Sequence, residues 1–203
     1  MKLTLPLFLV VTSLTAAALA GPMSFDFKDP KGVNNAVFKL DAPLEAINGS
    51  ASGITGSVQF DPANPAATKG KIVVASASLN VSNPMMKEHL HSAKWLDVAK
   101  FPAIVFDAKE LKNVKTSGDV TTADAVGSLT LHGVTKNITV PVKLTYLKDK
   151  LEKRIPNMKG DLLVIRSNFA VKRSDYGIIP GQMEEKVSDE IELTLSIAGA
   201  ALR

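Results

Sequence analysis

The clearest signal along the chain is alternation of apolar and polar side chains with a period of two, the mark of strands with one buried face. In Ile54–Phe60, Ile54, Gly56, Val58 and Phe60 fall on one face, with Thr55, Ser57 and Gln59 on the other. Around Ile138–Tyr146, the set Ile138, Val140, Val142, Leu144 and Tyr146 opposes Asn137, Thr139, Lys143 and Thr145. Glu190–Ile197 sets Ile191, Leu193, Leu195 and Ile197 against Glu190, Glu192, Thr194 and Ser196. Weaker alternation at Val33–Asp41, Lys71–Val81, Ile104–Leu111, Ala123–His132 and Asp161–Lys172 brings the expected strands to eight.

Short polar links separate most of these segments. Asn48–Ser52 is rich in Asn, Gly and Ser, and reads as a connection. Asp61-Pro62-Ala63-Asn64-Pro65 cannot extend a ladder, because proline lacks the donor. His132-Gly133-Val134-Thr135-Lys136 reads as a tight link between two strands. Links this short favour antiparallel neighbours, since a parallel crossover needs about a dozen residues.

One segment departs from the period of two. In Ser82–Lys100, Asn83 is placed to cap a helix, Pro84 suits the first helical position, and Met86, Leu90 and Ala93 fall at helical spacing. A short helix, irregular near Ser92, is therefore expected before the strand that follows Phe101-Pro102. Eight antiparallel strands must close on themselves or protect both edges. A barrel of that size is either filled by side chains or holds one small ligand. Gly56, Ala75, Ala77, Ala108, Ala125 and Gly127 would leave room wherever they point inward, and the pattern does not say which of them do.

Composition narrows the chemistry. The 203 residues carry a net charge of +4 and no cysteine. So mild a charge, with no dense Lys/Arg cluster, gives no reason to expect a nucleic-acid partner. The absence of cysteine excludes disulfides, thiolate catalysis and cysteine-based metal sites. Three histidines make a metal site built on several imidazoles a poor expectation. His89 and His91, two apart on a helix, point about 200° apart and cannot grip one ion together. No Gly-x-Ser-x-Gly elbow and no glycine-rich phosphate loop is present, so no catalytic residue is assigned. Lys2, the apolar run Leu3–Val11 and Ala18-Leu19-Ala20 form the three parts of a secretory signal peptide. The expected organisation is a cleaved segment 1–20 and one exported domain, 21–203.

The stretch FDPANPAATKGKIVVASASLNVSNPMMKEHLHSAKWLDVAKFPAIVFDA resembles the core of the YceI-like family of lipid-binding proteins. Gly127–Lys136, Lys172–Gly177 and the closing Val187–Ala198 agree with it, in the right order. The resemblance implies an all-β fold, an antiparallel eight-stranded lipocalin-like barrel with the short helix at its mouth. It also implies a periplasmic location and a polyisoprenoid or isoprenoid quinone inside the barrel, with no other cofactor. In this family an Arg-Asp pair commonly stands before the His-Leu of the helix, where this chain has Met86-Lys87-Glu88.

On that footing the expected lipid-binding residues are Met85, Met86, Leu90, Trp95, Leu96, Phe101, Phe106 and Phe169. The first six crowd the helix segment and would form a lid, methionine being suited to irregular apolar ligands. His89 is expected to fix the lid or meet a polar headgroup. Arg173 either meets a headgroup oxygen or organises its own loop, paired with Asp175 or a neighbouring strand, with Gly177 at positive φ. The basic segment 147–159, with apolar Leu147, Leu151, Ile155 and Met158, is a candidate for transient contact with a membrane surface. Assembly is left at monomer or homodimer. Two other readings stay open: an enzyme acting on a small lipid-like substrate in the same cavity, and a stress-related interaction protein with a filled barrel.

Overall fold

The computed structural model describes residues 21–203, so the expected signal peptide lies outside the described residues. Eleven strands form one sheet: β1 (Met23–Asp26), β2 (Asn35–Asp41), β3 (Ala46–Ala51), β4 (Ile54–Phe60), β5 (Lys69–Ala75), β6 (Leu79–Val81), β7 (Ala103–Ser117), β8 (Val120–Leu131), β9 (Val134–Leu147), β10 (Gly160–Lys172) and β11 (Glu190–Leu202). Two helices interrupt them, α1 (Pro84–His91) and the single turn α2 (Leu151–Arg154). Every pairing is antiparallel.

Six of the short strands are halves of three long ones. β1 pairs with β4 while β2 pairs with β3, and β3 and β4 continue into pairings with β6 and β5. β1–β2, β3–β4 and β5–β6 are thus three broken strands, each next to its neighbour in sequence. β5 then pairs with β7, and β7 through β11 follow as a meander. β11 closes the ring on β2 at Asn35–Lys39 and on β1 at Asp26. The result is a closed eight-stranded antiparallel barrel, which leaves no long edge exposed to a second sheet.

The eight expected strands are all present, and the differences have local causes. Asn48–Ser52 is not a link: most of it lies in β3. Pairing with β2 and β6 overrides its turn-like composition. Gly49 is used there for closeness, because a Cβ would overlap the Phe38 ring. Lys71–Val81 is broken by a 3-10 turn at Ser76–Ser78, so Ala77 faces solvent. The helical stretch is confined to Pro84–His91, with Asn83 accepting the Met86 N–H at 3.2 Å as the cap and Ser92 ending it. The β8–β9 connection is a two-residue turn with His132 and Gly133 both at positive φ, the geometry that matches strand twist. A Cβ at Gly133 would also overlap the Phe101 ring.

Alternation holds along the closed wall, so one face of every long strand points into the barrel. The inward residues form two clusters. One, around Phe25, Phe27, Phe60, Leu144 and Leu163, fills one end. The other, around Phe38, Leu79, Leu96, Leu131, Tyr176 and Ile178, sits under α1 and the loop 177–189 at the opposite end.

Candidate functional site

Between the two clusters the barrel is hollow. A cavity of about 590 Å³ is lined by Ile72 and Val74 of β5, Phe106 and Ala108 of β7, Ala125 of β8, Val140 and Val142 of β9, Ile165 and Phe169 of β10, and Leu195 of β11, among others. Its size is within the roughly 300–1,000 Å³ of ordinary small-molecule sites. Room comes from small side chains at inward positions: Ala36, Gly70, Ala108 and Ala125 all line it. The other small residues do different work. Ala75 and Ala77 are exposed. Gly56 and Gly127 sit where wall strands approach so closely that a Cβ would overlap the carbonyl of Lys71 or Asp107.

One end of the cavity is closed by aromatic rings. Phe25, Phe60 and Tyr146 meet pairwise at centroid distances of 6.4, 6.3 and 5.9 Å, two of the three pairs edge to face. The Tyr146 hydroxyl donates to Asp161 Oδ2 at 2.7 Å, and the fully buried Asp161 also accepts from the Asp149 N–H and, on both oxygens, from Arg203. Burial pushes the Asp161 carboxyl up, but those donors outweigh it and hold the group below the usual carboxylate range. Burial, reinforced by the bond to Asp161, pushes Tyr146 up to about 12.

The other end carries the lid. Met86, His89, Leu90, Trp95 and Leu96 line the cavity there, together with Glu45, Met183 and Lys186 at the rim. Of the expected lipid-binding residues, Met86, Leu90, Trp95, Leu96, Phe106 and Phe169 are on the lining. Met85 is not: it is 67% exposed on the outer side of α1. Phe101 is not either; its ring packs edge-on against His132 at 4.7 Å, on the outside of the β8–β9 turn. Helix phase explains the split, because Met85 and Met86 are about 100° apart.

His89 is exposed at the rim, and the tether of the lid is its neighbour: His91 Nε2 donates to the Leu79 carbonyl at 2.7 Å. Arg173 is 1% exposed and lines the cavity. Its guanidinium donates to the carbonyls of Ser188 (3.2 Å), Ile178 (2.9 Å), Ile179, Gln182 (2.5 Å) and Val187 (3.2 Å), all in the loop that follows β10. Five donors meet five acceptors, so the loop-organising reading of Arg173 fits the geometry and no donor is left for a headgroup. Its partner is this loop and not Asp175, which pairs with Lys136 at 2.6 Å. The guanidinium carbon also lies 5.9 Å from the Trp95 ring centroid, joining the loop to the lid. Gly177 takes φ of 70° as expected.

The segment 147–159 lies at the aromatic end, away from the rim. Leu151 is fully buried, and Arg154 pairs with Asp29 at 2.9 Å, so the segment's apolar and basic residues are partly spent on the barrel. Sequence reasoning missed the small residues Ala36 and Gly70, the rim residues Glu45, Met183 and Lys186, and the tether His91. The alternation marks Ala36 and Gly70 only once the pairings of β2 and β5 are known. No signal in the sequence marks the rim.

Comparison with known proteins agrees with this architecture. The model of the YceI-like domain matches residues 29–199. A UPF0312 protein of Pseudomonas aeruginosa is 33% identical over 154 residues, 75% of this chain and 73% of the relative. A UPF0312 protein of Yersinia pestis is 33% identical over 157 residues, 77% of this chain and 75% of the relative. Among solved structures, Burkholderia cenocepacia BcnA superposes with a TM-score of 0.64 at 18% identity, covering 81% of this chain and 94% of BcnA. A polyisoprenoid binding domain from Saccharophagus degradans superposes with a TM-score of 0.62 at 11% identity, covering 89% of this chain and 99% of that domain.

Proposed function

The chain belongs to the YceI-like family, and from that membership and the apolar cavity inside the barrel we propose that it binds one long-chain lipid, a polyisoprenoid or an isoprenoid quinone, without chemical conversion. Storage of the lipid or its carriage through the periplasm follows from export by the segment 1–20. Among the described residues no helix is long and apolar enough to cross a membrane.

The observation that carries the reading is the cavity and its lining. At about 0.8 kcal/mol per buried methylene, ten methylenes supply roughly 8 kcal/mol before the cost of ordering the chain. A prenyl tail is therefore held with few polar contacts, and selection acts through the length and width of the tunnel. The same cavity argues against a barrel filled by its own side chains. Against an enzyme, the acids and phenols that the fold clearly shifts, Asp29, Asp161, Asp189, Tyr146 and Tyr176, are all absent from the lining. The lining hydroxyl of Ser167 is committed to the Pro141 carbonyl at 2.6 Å. The relative described as a polyisoprenoid binding domain supports the choice of lipid class.

Solvent extraction of the purified exported protein, followed by mass spectrometry, tests the proposal. A prenyl lipid in stoichiometric amount is expected, and a protein that carries and accepts no lipid would refute it. Trp95, on the lining and the only tryptophan, supplies the second readout. Titration of delipidated protein with a short-chain quinone should quench its emission, and Trp95→Phe should remove the signal while keeping most of the affinity.

A further inference from the structure

The barrel wall is parted between β9 and β10. Their ladder ends at Ser167↔Val142, although β9 extends back to Val134 and β10 runs on to Lys172. The parting begins at Pro141, which has no N–H to give, and whose carbonyl is taken by Ser167 Oγ at 2.6 Å. Across the far end of the gap, Lys136 pairs with Asp175 at 2.6 Å and His132 Nδ1 donates to the Tyr176 carbonyl at 3.1 Å. A window is left, lined by Asn137, Ile138, Ala170, Val171, Lys172 and Glu190, among others, with a volume of about 320 Å³. Val171 lines both this window and the main cavity, and Ile138 and Tyr176, which pack on the inward cluster, line the window beside it.

The rim of the window is backbone. The Arg173 N–H donates to the Asp189 carbonyl, and residues alternate in the neighbour they address. The N–H and C=O groups of Ala170 and Lys172, both on the window lining, therefore turn away from β11, toward β9. The charges around the window balance: Lys136 is neutralised by Asp175, and Lys172 is the register partner of Glu190. Donors and acceptors are both on offer, with no net field for an anion.

We propose that this window is the subsite for the polar end of the bound lipid, and that it selects a neutral hydrogen-bonding group, such as a hydroxyl, ketone or amide, over a phosphate or carboxylate. This rests on the lipid-binding reading and specifies it.

Four eighteen-carbon probes with different ends test it: oleyl alcohol, oleamide, oleate and 1-octadecene, delivered from cyclodextrin to delipidated protein. The alcohol and the amide should bind about five- to tenfold more tightly than 1-octadecene, the worth of one net hydrogen bond, and oleate no more tightly than 1-octadecene. In ¹⁵N–¹H spectra, oleamide and not 1-octadecene should shift the amides of Ala170 and Lys172. Propionamide alone should leave them in place, since a free amide lacks the tail that carries it there. Ala170→Pro removes one window N–H without touching the β11 ladder and should abolish the preference while leaving 1-octadecene affinity unchanged. Should that variant not fold, the amide shifts in the unaltered chain still decide. Tightest binding by oleate, equal binding of all four, shifts at His89 and Lys186 instead, or the same shifts from propionamide would overturn the window subsite. Binding of none of the four would overturn the lipid-binding reading itself.

Discussion

The two ends of the barrel are closed by different physics. At the aromatic end, Phe25, Phe60 and Tyr146 pack ring on ring, and Tyr146 is pinned through Asp161 to Arg203 and the Asp149 backbone. At the rim, an eight-residue helix with no buried residue of its own and a loop with little regular structure cover the cavity. The helix is tethered by His91 to Leu79, and the loop by the five bonds of Arg173 to its carbonyls. Burial and a dense polar cluster make a fixed floor. A short helix and an irregular loop, anchored by the buried Tyr176, Ile178, Ile179 and Val187 and by the Arg173 bonds, make a cover built from elements separate from the floor, the kind of unit that opens on its own. A binding barrel needs one of each.

The largest effect should come from the floor. Phe25→Ala removes a ring that is 0% exposed and should lower unfolding free energy by about 3–5 kcal/mol in denaturant titrations. Lipid affinity should fall far less, because Phe25 is absent from the cavity lining. A loss of affinity in proportion to stability would erase the distinction between floor and site.

Arg173→Ala strands five carbonyls and should cost about 2–4 kcal/mol. The difference from Phe25→Ala lies in its location. Hydrogen exchange should accelerate in 177–189 and around Trp95 and remain slow at the floor. Uniform acceleration across the barrel would show that the lid is not a separate unit.

Filling the hollow addresses the site between the two ends. Ala125→Phe should weaken lipid retention roughly tenfold or more while the barrel still folds, because the added ring competes for the ligand's space. Ala77→Phe, on the exposed turn, is the control and should leave retention unchanged. Equal effects of the two would mean that the cavity does not hold the lipid.

The smallest effect is electrostatic and belongs to the floor. Tyr146 is raised from 10.0 to about 12, first by burial and then by its bond to Asp161, so the fold favours the neutral phenol. That stabilisation is whole below about pH 10 and is lost as pH rises toward 12. Tyr146→Phe should flatten this alkaline decline in melting temperature. Asp161 acts in the opposite sense. Its carboxyl is held low, so its contribution is present above the ordinary carboxylate range and lost as pH falls through its folded value. Arg203→Ala should shift the acid limb toward neutral pH while leaving lid exchange unaltered.

Much of this molecule was legible in its sequence, and the legible part has a common origin. A strand with one face in a hydrophobic interior must alternate, so each of the eight long strands announces itself over at least part of its length, as does the Asn83-Pro84 start of α1, while β1 (Met23–Asp26) and most of β3 went unread. The resemblance to the YceI-like family added closure and the expectation of a lipid ligand. Individual site residues were less legible. Met85 and Met86 are chemically alike, and only the phase of α1 against the barrel sends one outward and the other onto the cavity. Ala77 and Ala125 are likewise identical in the sequence. A 3-10 turn exposes the first, and the pairing of β8 with β7 and β9 turns the second inward.

Period and composition, being local, thus determined the strand count, the antiparallel class and the lack of cysteine chemistry. Tertiary structure alone decided the breaks in the first three strands, which inward residues enclose empty space, and which end is sealed. It also decided that Arg173 spends its donors on five carbonyls, and that β9 and β10 part beyond Pro141. These are outcomes of contact between segments far apart in the chain, where backbone groups must find partners across the barrel and side chains must share one volume. The alternation of a single strand carries no information about either.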